Sequence, residues 1–238
     1  MRAMRFIRRM CIVLAAASLA TAGYYCVLFF HQFLFQSDFF KVVDVKVVAR
    51  SEALEQAART ELGDYFEDKG DNLLRLNARL LSARLTQLPR ARTAEVHKVL
   101  PGTLEIKFDE RVPVMIAQID RPYAMDKEGV LLAELNEKDI ARLGLPVLTG
   151  IRGNLWRLGD RVEQKHINDI LSAVAFVREN DLTLKGRIVE WNINSHDEIT
   201  AMLASHAEVR FGDQEPLDSL PKLSAALATR EDLAQASY

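Results

Sequence analysis

Cysteine is nearly absent. The 238 residues hold two, Cys11 and Cys26, and both lie inside one apolar run. About fifteen helical positions separate them by about 22 Å at ~1.5 Å per residue, too far for a disulfide. The rest of the chain has no cysteine, which excludes a disulfide framework and a thiolate metal site there. Histidine is sparse as well: His31, His97, His166, His196 and His206 show neither H-x-x-x-H nor H-E-x-x-H spacing. His97, between Val96 and Lys98 in a strand-like run, reads as a solvated side chain rather than a ligand. There is no Gly-rich phosphate loop and no nucleophile elbow with a paired base. An excess of positive charge is also lacking. Against 31 Lys and Arg stand 33 Asp and Glu, a net charge of −2, with no basic cluster of the kind a nucleic-acid groove needs.

What charge there is lies unevenly. Arg2, Arg5, Arg8 and Arg9 give the first ten residues +4 without an acid, and Cys11 to Phe35 carries no formal charge. The remainder is therefore net −6. CIVLAAASLATAGYYCVLFF, from Cys11 to Phe30, is about long enough to cross a ~30 Å hydrocarbon core as a helix. The arginines before it favour a cytoplasmic N-terminus, and Tyr24, Tyr25, Phe29, Phe30, Phe33 and Phe35 suit an interfacial aromatic belt. The expectation is a cytoplasmic tail over 1–10 and an uncleaved transmembrane helix over 11–35, which contacts the lipid bilayer. The competing reading is a signal peptide cut after Ala20-Thr21-Ala22, before Gly23. That cut would leave Tyr24 to Phe30 as a greasy new N-terminus with no partner.

Beyond the span, Val43, Val45 and Val47 alternate with Asp44 and Lys46 and predict a strand. Ser51 is placed as an N-cap, and Leu54, Ala58, Leu62 and Tyr65 share one helical stripe that Gly63 is expected to bring near its end. Asn77 can cap a second helix, with Leu81, Leu85 and Leu88 on one face and Pro89 stopping it. Ala94 and Val96 precede the Pro101-Gly102 turn; Leu104, Ile106 and Phe108 follow it on one face, so the two runs read as a hairpin. A lone hairpin is marginal in water, so the first strand must join it. After Glu110-Arg111 a new alternating run begins at Val112, Val114 and Ile116. It leads to a polar turn, Asp126 to Gly129, where glycine makes positive φ cheap. One sheet closes near Glu110 and another opens.

Three pieces of this stretch, in order, resemble one family. They are Val99-Leu100-Pro101-Gly102-Thr103-Leu104-Glu105-Ile106, then Glu110-Arg111-Val112-Pro113-Val114, then Met125-Asp126-Lys127-Glu128-Gly129. The FtsQ/DivIB cell-division proteins carry a "P-x-T-L-x-I" strand, an "E-R-x-P-V" junction and a "D-x-x-G" turn in that order, linking a POTRA domain to a larger β-domain. The resemblance covers roughly Phe39 to Tyr238. It implies an α+β fold: an N-terminal transmembrane helix, a β-α-α-β-β POTRA domain over 39–110, and a β-rich domain over 111–238. That second domain is expected to have a mainly antiparallel sheet and one or two helices. Leu145-Pro146-Val147-Leu148-Thr149-Gly150 resembles the family's "L-P-x-L-x-G" step between strands.

Periodicity fills in the second domain. Ile170, Leu171, Val174 and Val177 predict a helix over Asn168 to Asn180. Val189, Trp191 and Ile193, then Ile199, Ala201 and Leu203, then Val209 and Phe211 predict a three-strand meander. Ser205-His206 stands at its second turn, where the family prefers Asn-Gly. Leu220, Leu223 and Leu227 predict a last helix with Pro221 in its first turn. Where the family normally continues into a strand of the type "I/V-D-L-R-Y/F", the sequence stops at Tyr238.

No residue set points to catalysis. Asp109 and Glu110 are strand neighbours and face opposite ways, so their carboxylates do not converge. A structural role at the domain junction is the expectation for Pro101, Glu110, Arg111, Pro113, Asp126 and Gly129. No cofactor, metal, nucleic acid or small-molecule substrate is expected. The resemblance implies a bitopic, non-catalytic scaffold of the inner membrane, with its C-terminal part extracytoplasmic at the division septum. Its partners would be FtsB- and FtsL-like membrane proteins. The alternative is a membrane-tethered periplasmic cell-wall enzyme. A third reading, the POTRA unit of an outer-membrane assembly factor, is disfavoured because the anchor is helical and no β-barrel follows. If the family's last strand is missing, Val209, Arg210 and Phe211 become an uncovered edge. A partner is then expected to add a strand there or near Ser237-Tyr238.

Overall fold

The computed structural model describes residues 2–36, 38–153, 155–180, 184–212 and 215–229. Ser237 and Tyr238 lie outside them. The chain divides into two units: residues up to Leu85 with Ala94–Phe108, and Thr86–Thr93 with Asp109 onward.

The first unit begins with helix α1, Arg2–Gln36. Its stretch Leu14–Phe35 is, among the described residues, the one segment long and apolar enough to cross a membrane. A single 3-10 turn over Asp38–Phe40 leads to strand β1, Asp44–Val48, then helices α2, Glu52–Lys69, and α3, Ala78–Thr86, and strands β2, Ala91–Val99, and β3, Thr103–Glu110. The β-α-α-β-β order is that of the expected POTRA domain. The sheet order is β1-β3-β2, and β1 runs parallel to β3 with Val45 opposite Leu104 and Val47 opposite Ile106. Placing β3 in the middle gives the marginal hairpin its third strand.

The helices start where their caps put them. The Ser51 side chain accepts from Leu54 N at 3.3 Å, and Asn77 Oδ1 accepts from Arg79 N and Leu80 N, satisfying amides that have no intrahelical partner. Leu54, Ala58, Leu62 and Tyr65 of α2 and Leu81 and Leu85 of α3 are buried with Leu104 and Ile106. Burying each such Leu or Ile contributes about 1.5–3 kcal/mol. Ser82 Oγ donates to Ala94 O at 2.6 Å and ties α3 to the sheet. Two expectations fail. Gly63 does not bring α2 towards its end; the helix continues to Lys69 and is capped by Gly70 at φ 79°. Val43 is not on the core face. It precedes β1 and is 85% exposed.

The second unit is a seven-stranded sheet in the order β10-β9-β8-β7-β4-β5-β6. Its strands are β4, Pro113–Gln118; β5, Pro122–Asp126; β6, Leu131–Glu134; β7, Val147–Thr149; β8, Ile188–Ile193; β9, Ile199–Leu203; and β10, Glu208–Gly212. The β4–β7 and β7–β8 pairs are parallel and the other four antiparallel. Both faces of the centre are covered. Met115 and Ala117 pack into one core with Ile170, Leu171 and Trp191, while Ile116 and Ala124 pack into another with Val130 and Leu132. That is why the β4 run is buried at consecutive positions instead of alternating.

Among the described residues this unit has three helices rather than one or two: α4, Glu137–Leu143; α5, Ile167–Asn180; and α6, Pro216–Thr229. Helix α4 was not anticipated, although Asn136 caps it by accepting from Asp139 N and Gly144 ends it in the left-handed region. Pro221 is not in the first turn of its helix. Pro216 opens α6 and Pro221 sits in its interior. In β8 the expected inward set slips at one place. A register shift between Ile188 and Glu190 buries Ile188 and leaves Val189 42% exposed. The Ser205-His206 turn forms with His206 itself at φ 65°, so a histidine adopts the conformation that Asn-Gly supplies more cheaply. Gly150 cannot carry a side chain, because a Cβ there would lie 1.9 Å from Ile193 O.

Candidate partner edge and the Arg111 cluster

Among the described residues, β10 has one sheet neighbour, β9. The pairing sets Glu208 opposite Met202, Val209 opposite Ala201 and Arg210 opposite Thr200. At the turn, Leu203 N donates to Ala207 O at 2.9 Å. Hydrogen-bonded and non-bonded pairs alternate in an antiparallel ladder, so Val209 bonds to β9, while Glu208 and Arg210 turn their N–H and C=O groups to the open side. The side chains follow a different division. Phe211 is 6% exposed and stacks on Trp191, ring centroids 5.5 Å apart at 18°. Val209 is half-buried against the same core. Arg210 is exposed and pairs along its own strand with Glu208 at 3.2 Å. Of the residues expected at a partner edge, Phe211 thus anchors the strand through its ring, and among the described residues the outward-facing groups of the edge are those of the backbone of 208 and 210.

The expected junction residues fall into two places. Pro101 lies in the β2–β3 turn at one end of β3, and Glu110 and Arg111 lie at and just beyond the other. Around Arg111 the second unit builds a charged cluster. Arg111 Nη1 donates to Asp126 Oδ2 and Glu128 Oε2, both at 2.7 Å. Asp126 is fully buried, and its other oxygen accepts from Glu128 N and Val130 N at 2.9 Å. A turn residue was expected there, and Gly129 N does close on Asp126 O with φ 81° at the glycine. The carboxylate's burial and its guanidinium partner were not foreseen. Arg92 Nη2 approaches Glu128 at 3.3 Å and Asp126 at 4.0 Å. Glu110, 7% exposed, meets Arg90 at 3.9 Å, while Asp109 meets Arg92 at 3.8 Å. Pro113 stands opposite Asp126 in the β4–β5 register. Arg92 and Glu128 escaped sequence reasoning, since no pattern marks a cross-strand ion pair between positions so far apart.

The electrostatics of the cluster favour charge retention. Burial works against the Arg111 cation, but hydrogen bonds and attraction from Asp126 and Glu128 outweigh it and raise its pKa. The Arg111 hydrogen bond, against some burial and with help from Arg92 and Lys127, holds Glu128 below the ordinary carboxylate range. A general acid needs the opposite shift. A cavity of about 620 Å³ in this unit is lined by apolar side chains such as Val114, Ile140 and Val177, together with Arg178 and Lys185; among the described residues no carboxylate lines it. Among the described residues no group of three or more His, Cys, Asp and Glu side chains could hold a metal ion.

The architecture defines a class: a POTRA domain and a mixed α+β domain behind one apolar N-terminal helix. Residues 40–111 match the FtsQ-type POTRA domain family, and residues 115–237 match the family described as cell division protein FtsQ/DivIB, C-terminal. The chain is 33% identical over 125 residues to cell division protein FtsQ of Syntrophotalea carbinolica, covering 50% of this chain and 41% of that one. It is 26% identical over 194 residues to FtsQ of Anaeromyxobacter sp. strain K, covering 81% and 64%. The major extracytoplasmic domain of the division protein DivIB from Geobacillus stearothermophilus aligns over 52% of this chain and 97% of that one, at 16% identity and a TM-score of 0.34. The second family matches more than half of the sequence, and the chain belongs to the FtsQ/DivIB family. It spans about two fifths and about two thirds of the lengths of those two curated relatives.

Proposed function

We propose that this chain serves cell division as a membrane-anchored, non-catalytic scaffold that holds other membrane proteins of the division machinery at the septum. In this reading α1 spans the inner membrane with its arginine-rich end in the cytoplasm, and both folded units lie outside. FtsB- and FtsL-like partners dock by adding a strand to β10. One observation carries the reading: the backbone of Glu208 and Arg210 faces away from β9 on a strand pinned from behind by the Phe211–Trp191 stack. Such an edge offers main-chain hydrogen bonds to an extended partner, with side chains setting the register. Family membership supports the division role.

Truncation before α6 is a poor test, because Leu220 and Leu227 are buried core residues. Arg210→Pro is a better one. It removes an outward N–H without touching the β9 ladder. In a pull-down from membranes, Arg210→Pro is expected to lose FtsB- and FtsL-like proteins, while Arg210→Ala, which keeps the N–H, retains them. Equal capture by both variants would rule out the strand-addition site.

A further inference from the structure

Helix α1 does not end in a loose tether. The Asn72 amide donates to Leu34 O at 3.2 Å, and Leu73 N donates to Phe40 O at 2.7 Å. The Phe33 ring lies 6.2 Å from that of Phe39 and 6.3 Å from that of Phe40. The 22 residues of Leu14–Phe35 span about 33 Å at ~1.5 Å per residue, against a hydrocarbon core of ~30 Å. A helix of that length puts Phe35 at the headgroup level, and Phe39 follows within one turn.

The part of the first unit next to this exit is apolar and uncovered. Phe39 is 60% exposed, Val43 85%, Leu100 58% and Val99 43%. Val43 N donates to Gly102 O at 2.8 Å, and a Cβ on Gly102 would lie 2.6 Å from Lys41 O, so the turn that follows Val99 and Leu100 packs against the 41–43 segment that continues from Phe39. Single exposed hydrophobes need no explanation; a group that includes an aromatic ring and lies beside a membrane helix does. Lys98 flanks it and is exposed, so its stem can lie along apolar surface while its ammonium group stays at the headgroups; Lys41 is held instead by Asp71 at 3.2 Å.

We infer that Phe39, Val43, Val99 and Leu100 form a second lipid contact, which seats the POTRA unit on the phospholipid interface beside α1. The occupant is the boundary between headgroups and acyl chains, where amphipathic protein surfaces partition. The inference rests on α1 being a membrane anchor, and the test separates the two.

The full chain, with Cys11→Ser and Cys26→Ser, is reconstituted into bilayers of phosphatidylcholine and phosphatidylglycerol. A single environment-sensitive dye is placed through Leu100→Cys, through Val27→Cys within α1, or through Lys165→Cys on the surface of the second unit. The quencher is a lipid nitroxide near the headgroup for positions 100 and 165, and one at the middle of the acyl chain for position 27, which lies about 12 Å below Phe35 at ~1.5 Å per residue. Quenching at position 100 is expected to exceed that at 165 by roughly twofold or more. Phe39→Glu with Val43→Glu should return the position-100 dye to the aqueous level, and because the dye stays in place this controls for its own apolarity. Both substituted residues are exposed, so an unchanged near-ultraviolet circular dichroism spectrum is expected. Quenching at 27 with none at 100 would overturn the lipid contact and leave the anchor standing. No quenching at 27 would overturn the anchor, and the inference with it.

Discussion

Arg111 holds Asp126 and Glu128 through one nitrogen, which makes it the residue whose loss should be felt most. Removing it leaves a fully buried carboxylate with two backbone amides on one oxygen and Arg92, 4.0 Å away, as the cation that still approaches it. Stranding one partner of a buried pair costs about 3 kcal/mol or more, so Arg111→Ala should lower the unfolding midpoint measurably in a thermal or urea melt. Glu128 gives a prediction in pH. Its pKa is lower in the folded chain than in the unfolded one, so its contribution is present above the ordinary carboxylate range and fades as pH falls through the folded value. The melting temperatures of the native chain and Glu128→Gln should therefore differ near neutral pH and converge in acid; a gap that stays constant would contradict this. Sequence reasoning saw that Asp109 and Glu110 diverge and that Gly129 closes a turn. It could not see that Arg111 reaches back to that turn, because strand periodicity assigns faces and does not assign cross-strand partners.

Elements were legible where the signal was local. Ser51 and Asn77 mark their helix starts by side-chain caps, and the alternation through Leu104 and Ile106 marks a strand with one face buried. Legibility failed where tertiary structure intervened. The shift between Ile188 and Glu190 turned Val189 outward, and the sheet centre around Met115–Ala117 is buried on both faces, so neither follows a simple period. Pro221 was misplaced because Pro216 starts the helix earlier than its apolar stripe does. An interior proline leaves one carbonyl without its amide and costs ~3 kcal/mol relative to alanine. Pro221→Ala should therefore stabilise the unit by up to about 3 kcal/mol, read as a higher urea midpoint with unchanged slope. Phe211→Ala should act the other way. Truncating a buried aromatic costs about 3–5 kcal/mol, and here it also unpins β10, so amide exchange on that strand should speed up more than on β4.

For the whole molecule, the proposed topology predicts that protease added outside spheroplasts digests both units and leaves a protected fragment ending near Gln36. Replacing Arg2, Arg5, Arg8 and Arg9 by glutamate should scramble that protection. The parallel pairing of β1 with β3 bears on how such a chain acquires its shape. Asp44 and Thr103 are partners although about 60 residues apart, and non-local pairings of this kind slow folding, because the intervening loop must close first. As the chain is made from its N-terminus, β1 emerges early and has no strand to join until β3 follows, whereas α2 and α3 are complete well before. The first unit should therefore pass through a helical, sheetless stage during its biogenesis, with Val45 and Val47 uncovered and a chaperone's help of most value in that interval.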